Sequence, residues 1–154
     1  MKLPESTEWV LHAAGSLAQL GPGGKASAAQ LAEHFDVPPA YLAKQLQALV
    51  RAGVLTATTG PHGGFRLARQ AEDITLLQIV EAVDGTSRLY RCNEIRQRGR
   101  GAAPPEQCRK ICGIARHMHT AEAAWRASLA GVTLADIVAG LPRGVQQRTR
   151  ALLA

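Results

Sequence analysis

Aromatic side chains are few in this sequence: two Phe, two Trp and two Tyr among 154 residues, or 4%. A core must therefore be made from Leu, Val, Ile and Ala, a composition that favours helices over aromatic-rich sheets. Cysteine is sparse as well. Three cysteines, an odd number in a chain with no export signal, argue against a disulfide framework and for a reducing, cytoplasmic setting, where cysteines more often serve metal or redox chemistry. Long apolar runs are missing: the first is broken by Glu8 and His12 and closed by Gly21-Pro22-Gly23-Gly24, so it is neither a signal core nor a membrane span. Also missing are a phosphate-binding loop opening a helix, a nucleophile elbow and a convincing acid–base pair, which speaks against an enzyme. Acidic residues are absent from Val37 to Gln70, while Lys44, Arg51, Arg66 and Arg69 stand within that window.

What is present describes a globular chain. Hydrophobic residues make up 46%, well above a disordered composition, and the formal net charge is +6. Residues 1–85 carry six Lys/Arg against eight Asp/Glu, and residues 86–154 carry twelve against four. The acid-free window is thus a better pointer to phosphate contact than the overall sum.

The periodicity predicts a mainly α fold with a small β-hairpin. Val10, Leu11, Ala14, Leu17 and Ala18 recur at helical spacing over residues 5–20, with Glu5, Glu8, His12, Ser16 and Gln19 along the other side. Ser27-x-x-Gln30 reads as a capping box opening a short helix. After Pro38-Pro39 a helix to about Ala52 buries Leu42, Leu46, Leu49 and Val50. Two strands, Val54–Thr58 and Phe65–Ala68, flank the turn Gly60-Pro61-His62-Gly63-Gly64. A second capping box, Thr75-x-x-Gln78, opens a helix ending at Gly85, with Ile74 and Ile79 placed to staple it. Residues 86–105 read as a basic loop, and Glu106–Leu129 as a long helix. Thr133 caps a short helix, and the last dozen residues read as a frayed one.

A short capped helix, a tight turn, a longer helix and a hairpin, in that order, make a winged helix-turn-helix. A helix about 10–12 Å across fits the major groove of about 12 Å. With the leucine stripe buried, Tyr41, Lys44, Gln45 and Gln47 remain outside, where Lys and Gln can reach base edges and Tyr and Lys can hold phosphates. At the hairpin, Gly63 permits close backbone approach, and His62 and Arg66 can enter the adjoining minor groove. Double-stranded DNA is the expected partner, and residues 1–85 the expected DNA-binding domain. An ordinary helical core with a solvated face, or a winged-helix protein-interaction module, is the alternative.

Tyr41-Leu42, Leu49, Ala52-Gly53-Val54-Leu55 and the run Gly60-Pro61-His62-Gly63-Gly64-Phe65-Arg66-Leu67-Ala68-Arg69 resemble the signature of the IscR/NsrR family of bacterial winged-helix regulators. Asp73-Ile74-Thr75-Leu76, the basic cysteine-bearing loop and Thr133-Leu134-Ala135-Asp136 are also similar to the family pattern. The resemblance implies a homodimer joined by the long second-half helix, on a palindromic operator. It also implies an iron–sulfur cluster, which many members hold and some lack. Glu8, Trp9 and His12 are similar to the first helix of one cluster-bearing member.

The family's usual cysteine spacing is five residues between neighbours. Here Cys92, Cys108 and Cys112 leave gaps of fifteen and three. Residues 86–107 form the cysteine-bearing loop, and 108–154 the dimerisation and C-terminal helices. A [2Fe–2S] cluster needs four protein ligands, and imidazole can replace thiolate. Cys108 and Cys112 at a helix start would share a face, as Glu8 and His12 do, and the two pairs could meet across a dimer interface. Cys92 is the weaker ligand candidate. Arg88, Arg91, Arg109 and Lys110 would favour thiolate and offset cluster charge. Trp9, beside Glu8, is large enough to take two packings and is the candidate switch. Cys108, Cys112, His117 and His119 have zinc-ligand types, but on a continuous helix His117 points about 140° from Cys112, which favours iron–sulfur over zinc.

Overall fold

A computed structural model describes residues 3–153; the outermost ends of the expected first and last segments lie outside the described residues. In chain order the elements are α1 (Glu5–Gln19), α2 (Ala28–Phe35), α3 (Pro39–Arg51), β1 (Leu55–Thr58), β2 (Gly64–Leu67), α4 (Leu76–Asp84), α5 (Gly113–Ala130), α6 (Leu134–Ala139) and α7 (Arg143–Leu153). Single 3-10 turns occupy Ala71–Asp73, Ile95–Gln97 and Pro105–Cys108. The chain divides into two compact units, one made of residues 3–85 with 129–153 and one of Thr86–Ser128.

In the first unit α1 is the central element and packs against α3, α4, α6 and α7. Val10, Ala13, Ala14 and Leu17 are buried, and so are Ser16 and Gln19, which the periodicity placed outside. Gln19 is satisfied in part locally: its Nε2 donates to the Gly15 carbonyl at 3.1 Å, and its own carbonyl accepts from Arg150 Nε at 2.6 Å. Glu5, Glu8 and His12 remain exposed. The polar face of α1 is therefore narrower than expected, and it is the face that carries the candidate ligands.

Both expected capping boxes form. Ser27 Oγ accepts from the Gln30 N–H at 3.1 Å while the Ser27 N–H donates to Gln30 Oε1 at 2.8 Å, and Thr75 and Gln78 repeat the arrangement. Thr133 and Asp136 make a third. Ile74 and Ile79 are fully buried beside the second box. Leu42, Leu46 and Leu49 are likewise fully buried along α3. Each such side chain contributes about 1.5–3 kcal/mol on burial, which fixes which face of α3 is left outward.

The hairpin pairs antiparallel, Leu55 opposite Leu67 and Thr58 opposite Gly64. A further bridge joins Ala26 to Phe65 through two backbone hydrogen bonds of 3.1 and 2.8 Å, anchoring the hairpin to the segment that opens α2. Two glycines there are required by space. A Cβ on Gly64 would lie 2.9 Å from the Ala26 carbonyl oxygen, and one on Gly63 would run into the Thr58 carbonyl.

The C-terminal segment differs from the expected frayed end. α7 is a regular helix whose Leu153 joins the core and whose Thr149 is buried, while Leu134 of α6 is 1% exposed. A bridge between Thr75 and Thr133 ties the N-termini of α4 and α6 together.

In the second unit the long helix begins at Gly113, not at Glu106. Arg96 supplies the reason. Its Nη2 reaches the carbonyls of Cys108 at 3.4 Å and Lys110 at 3.1 Å, and these are the acceptors that Cys112 and Ile114 would need to continue a helix backwards. The first helical bond instead runs from the Arg116 N–H to the Cys112 carbonyl at 2.9 Å. Of the 18 residues of α5 only Ala115 is buried, while Ile114 and Met118 are exposed.

Candidate nucleic-acid interface and cysteine segment

Helix α3 follows the left-handed Asp36 (φ 52°), which terminates α2, and Pro39 stands in its first turn. Between these breaks the outward side chains are Tyr41, Lys44 and Gln47, with Gln45 half-buried beside them. Tyr41 is 45% exposed and is also braced: its ring meets that of Trp9 edge-on, centroids 5.4 Å apart and planes at 83°. Such pairs contribute about 0.5–1.5 kcal/mol beyond area burial. One residue expected at the DNA surface is thus held by the residue expected to switch.

At the hairpin tip His62 is exposed and Gly63 half-buried. Lys25 Nζ donates to the His62 carbonyl at 2.6 Å, so the tip is tethered to the loop before α2 by a cation that sequence reasoning did not single out. Nothing local marks Lys25, because its partner lies 37 positions away. Arg66 does not sit at the tip. It is paired across the strands with Thr56, and its Nε donates to Thr56 Oγ1 at 3.1 Å, which lays the side chain along the hairpin with its remaining donors outward.

On α1, Glu8 and His12 are one turn apart on the exposed face and, with Trp9, Phe35 and Asp36, line a pocket of about 380 Å³. The His12 ring packs on Phe35 at 5.7 Å between centroids. A carboxylate and an imidazole are both suitable hard or borderline donors for iron.

Cys92, Cys108 and Cys112 are free thiols, all partly buried. Cys108 and Cys112 do not share a helical face: Cys108 closes a 3-10 turn and Cys112 precedes α5. Arg96, bonded to the Cys108 and Lys110 carbonyls, also donates to both oxygens of Glu94, at 2.5 and 2.7 Å. The Glu94 hydrogen bond holds Arg96 well above its ordinary value, with smaller support from the charge of Glu94 and from Cys108 and Cys112, and the same bond lowers Glu94. Arg96, which was not among the cations expected to favour thiolate, is thus bonded to the backbone of this segment. Its signal was invisible because it acts on carbonyls 12 and 14 residues away. Cys92 lines a separate pocket with Arg88, Arg91 and His119, which neither Cys108 nor Cys112 lines.

Among the described residues no three His, Cys, Asp or Glu side chains gather as a metal site. The zinc-type set of Cys108, Cys112, His117 and His119 is accordingly not assembled within this chain. No described helix is long and apolar enough to cross a membrane.

Comparison with known proteins agrees with the fold. Over 137 residues the chain is 29% identical to the putative HTH-type transcriptional regulator YffB of Lactococcus lactis, covering 89% of this chain and 86% of that one. A shorter stretch of 71 residues is 39% identical to the HTH-type transcriptional regulator IscR of Cereibacter sphaeroides, 46% of each chain. Among solved structures, the global cysteine regulator CymR of B. subtilis superposes with a TM-score of 0.70 at 19% identity, over 92% of this chain and 99% of that one. The model of the Rrf2 family, described as an iron-dependent transcriptional regulator, matches residues 3–140. An outward helix beside a tethered wing, on a match spanning nearly the whole sequence, makes this chain a member of the Rrf2 family of winged-helix transcriptional regulators.

Proposed function

We propose that the chain works as a homodimer whose hold on a palindromic operator is set by a [2Fe–2S] cluster, with Glu8 and His12 of one subunit and Cys108 and Cys112 of the other as ligands. The observation that carries this reading is on α1: the exposed Glu8 and His12 flank Trp9, which touches Tyr41 of α3. Restraining α1 through its ligands restrains the helix that faces DNA. The cluster would supply a reversible one-electron change, or its own loss, as the signal.

The remaining roles belong to this chain's own residues. Lys44 and Tyr41 hold phosphates, Gln45 reaches base edges, and His62, Gly63 and Arg66 place the wing against the adjoining groove. Ile114, Met118, Ala121 and Trp125 recur at helical spacing on the otherwise uncovered α5, which suits pairing with a second copy. Two half-sites about 34–36 Å apart tolerate little change in the spacing of the α3 helices, so a modest shift in α1 switches affinity. The donor chemistry supports the cluster: two thiols in a segment whose backbone Arg96 bonds at Cys108 and Lys110, and two harder donors one turn apart. The family's description as iron-dependent supports it as well.

A thiol-only sensor is the second reading, favoured by the likeness to the cysteine regulator CymR and by three free thiols. The test is a visible absorption spectrum of anaerobically purified protein, followed by titration of an operator selected from random duplexes. Thiolate-to-iron bands, with affinities differing at least tenfold (about 1.4 kcal/mol) between oxidised, reduced and cluster-free protein, support the cluster reading. A colourless protein whose operator affinity follows thiol oxidation supports the second.

A further inference from the structure

The Thr86–Ser128 unit contains a pocket of about 340 Å³ lined by Ser87, Arg88, Tyr90, Arg91, Cys92 and His119. Its charge is unbalanced: two guanidinium groups line it and no carboxylate does. The hydrogen bond inside it is also unusual. Arg88 Nη1 lies 3.2 Å from His119 Nδ1. A guanidinium has only N–H donors, so Nδ1 is the acceptor and the imidazole proton sits on Nε2. A neutral ring nitrogen offers one lone pair to a full cation, whereas an oxyanion would carry the opposite charge and accept two parallel bonds. The Tyr90 ring stands edge-on to His119, centroids 6.2 Å apart, and so limits how the imidazole can turn.

The pocket is also independent of the face suggested for dimerisation. Along α5, at about 100° per residue, His119 points about 100° from Met118 and about 140° from Ile114. Pairing of the apolar stripe with a second copy leaves the His119 side uncovered by that contact.

The geometry points to an oxyanion site, in which Arg88 and Arg91 bind a phosphoryl group and His119 gives up its bond from Arg88 to the incoming oxygen. The group belongs either to a small phosphorylated molecule or to the DNA backbone, and the chemistry of recognition is the same for both.

The test uses full-length protein, with inorganic phosphate and pyrophosphate as probes at constant ionic strength. Saturable binding by calorimetry, weakened at least tenfold in Arg88→Ala/Arg91→Ala and accompanied by a shift of the His119 Nδ1 resonance, assigns a small-molecule source. In a second arm, the salt dependence of DNA binding is compared between wild type and the same variant. A log–log slope lower by about two, without saturable phosphate binding, assigns the DNA backbone. Unchanged binding in the variant, or no saturable binding together with an unchanged slope, overturns the site. If the double variant unfolds, Arg91→Ala alone serves, since Arg91 is exposed, with half the slope change expected. None of these readouts requires a cluster, so failure here is distinct from failure of the sensing proposal.

Discussion

Trp9 of α1 meets Tyr41 of α3 edge-on, with 5.4 Å between ring centroids. One ring belongs to the helix that carries Glu8 and His12, and the other to the α3 surface proposed to face DNA. A double-mutant cycle with Trp9→Ala and Tyr41→Ala should return a coupling of about 0.5–1.5 kcal/mol in chemical denaturation. Trp9→Phe should retain part of it. Strict additivity would mean the rings touch without cooperating.

Lys44 and Gln45 should respond differently to removal. Lys44→Ala is expected to weaken binding to all duplexes alike and to lower the salt slope by about one. Gln45→Ala is expected to relax discrimination at one base position, by about 1–3 kcal/mol. Competition binding with single-position operator variants separates the two effects. The same profile for both would place Gln45 on the backbone instead.

The wing depends on close approach. Gly63→Ala forces a methyl group against the Thr58 carbonyl, and Lys25→Ala removes the bond to the His62 carbonyl. Both should reduce DNA affinity severalfold; Lys25→Ala should leave thermal melting little changed, because Lys25 lies outside the buried cluster, whereas Gly63→Ala should lower it too, because the hairpin backbone must shift beside Phe65. A large loss of core stability in Lys25→Ala would show that the hairpin tip has a wider structural role.

Arg96→Ala should free the Cys108 and Lys110 carbonyls and let the segment wind back into helix. Expected outcomes are slower hydrogen exchange over residues 106–114, higher helical ellipticity and, in reconstituted protein, quicker cluster loss. Arg96→Lys should rescue little, since an ammonium cannot span two carboxylate oxygens and two carbonyls in one plane. Exchange unaltered by Arg96→Ala would remove Arg96 as the organiser of this segment.

Asp136 gives a pH dependence of known sign. Hydrogen bonds from the Thr133 backbone N–H, then from its hydroxyl, hold the carboxyl below its ordinary value. A depressed folded value means its contribution is fully present above the unfolded value and is lost as pH falls through the folded one. Melting between ~pH 5 and ~pH 2 should therefore show a downward step that Asp136→Asn flattens. Parallel curves would indicate that the cap does not contribute.

Features whose cause is local were legible in the sequence. Ser27 with Gln30, Thr75 with Gln78, and the Leu42, Leu46 and Leu49 stripe each act within a few residues and formed as expected, with Val50, the fourth expected member of the stripe, only partly buried. Gly63 was expected to allow close approach to DNA; the close approach found is internal, by the Thr58 carbonyl at Gly63 and the Ala26 carbonyl at Gly64. The illegible parts depend on distant partners. Glu106–Cys112 has no proline after Pro105 to forbid a helix, while Arg96 bonds two of the carbonyls that a helix would use. α7 looked frayed because most of it is polar; its order comes from Leu153 in the core and Arg150 bonded to Gln19, 131 positions away.

The Thr75–Thr133 bridge, with Leu134 and Leu153 in the core, makes the N-terminal 85 residues incomplete on their own. In chain order, Thr86–Ser128 is spliced into a body that closes on either side of it. Mutational drift in the splice, including changed cysteine spacing, costs that body none of its buried leucines. On the sensing role proposed above, this stretch could be transplanted between relatives without disturbing the buried leucines of that body.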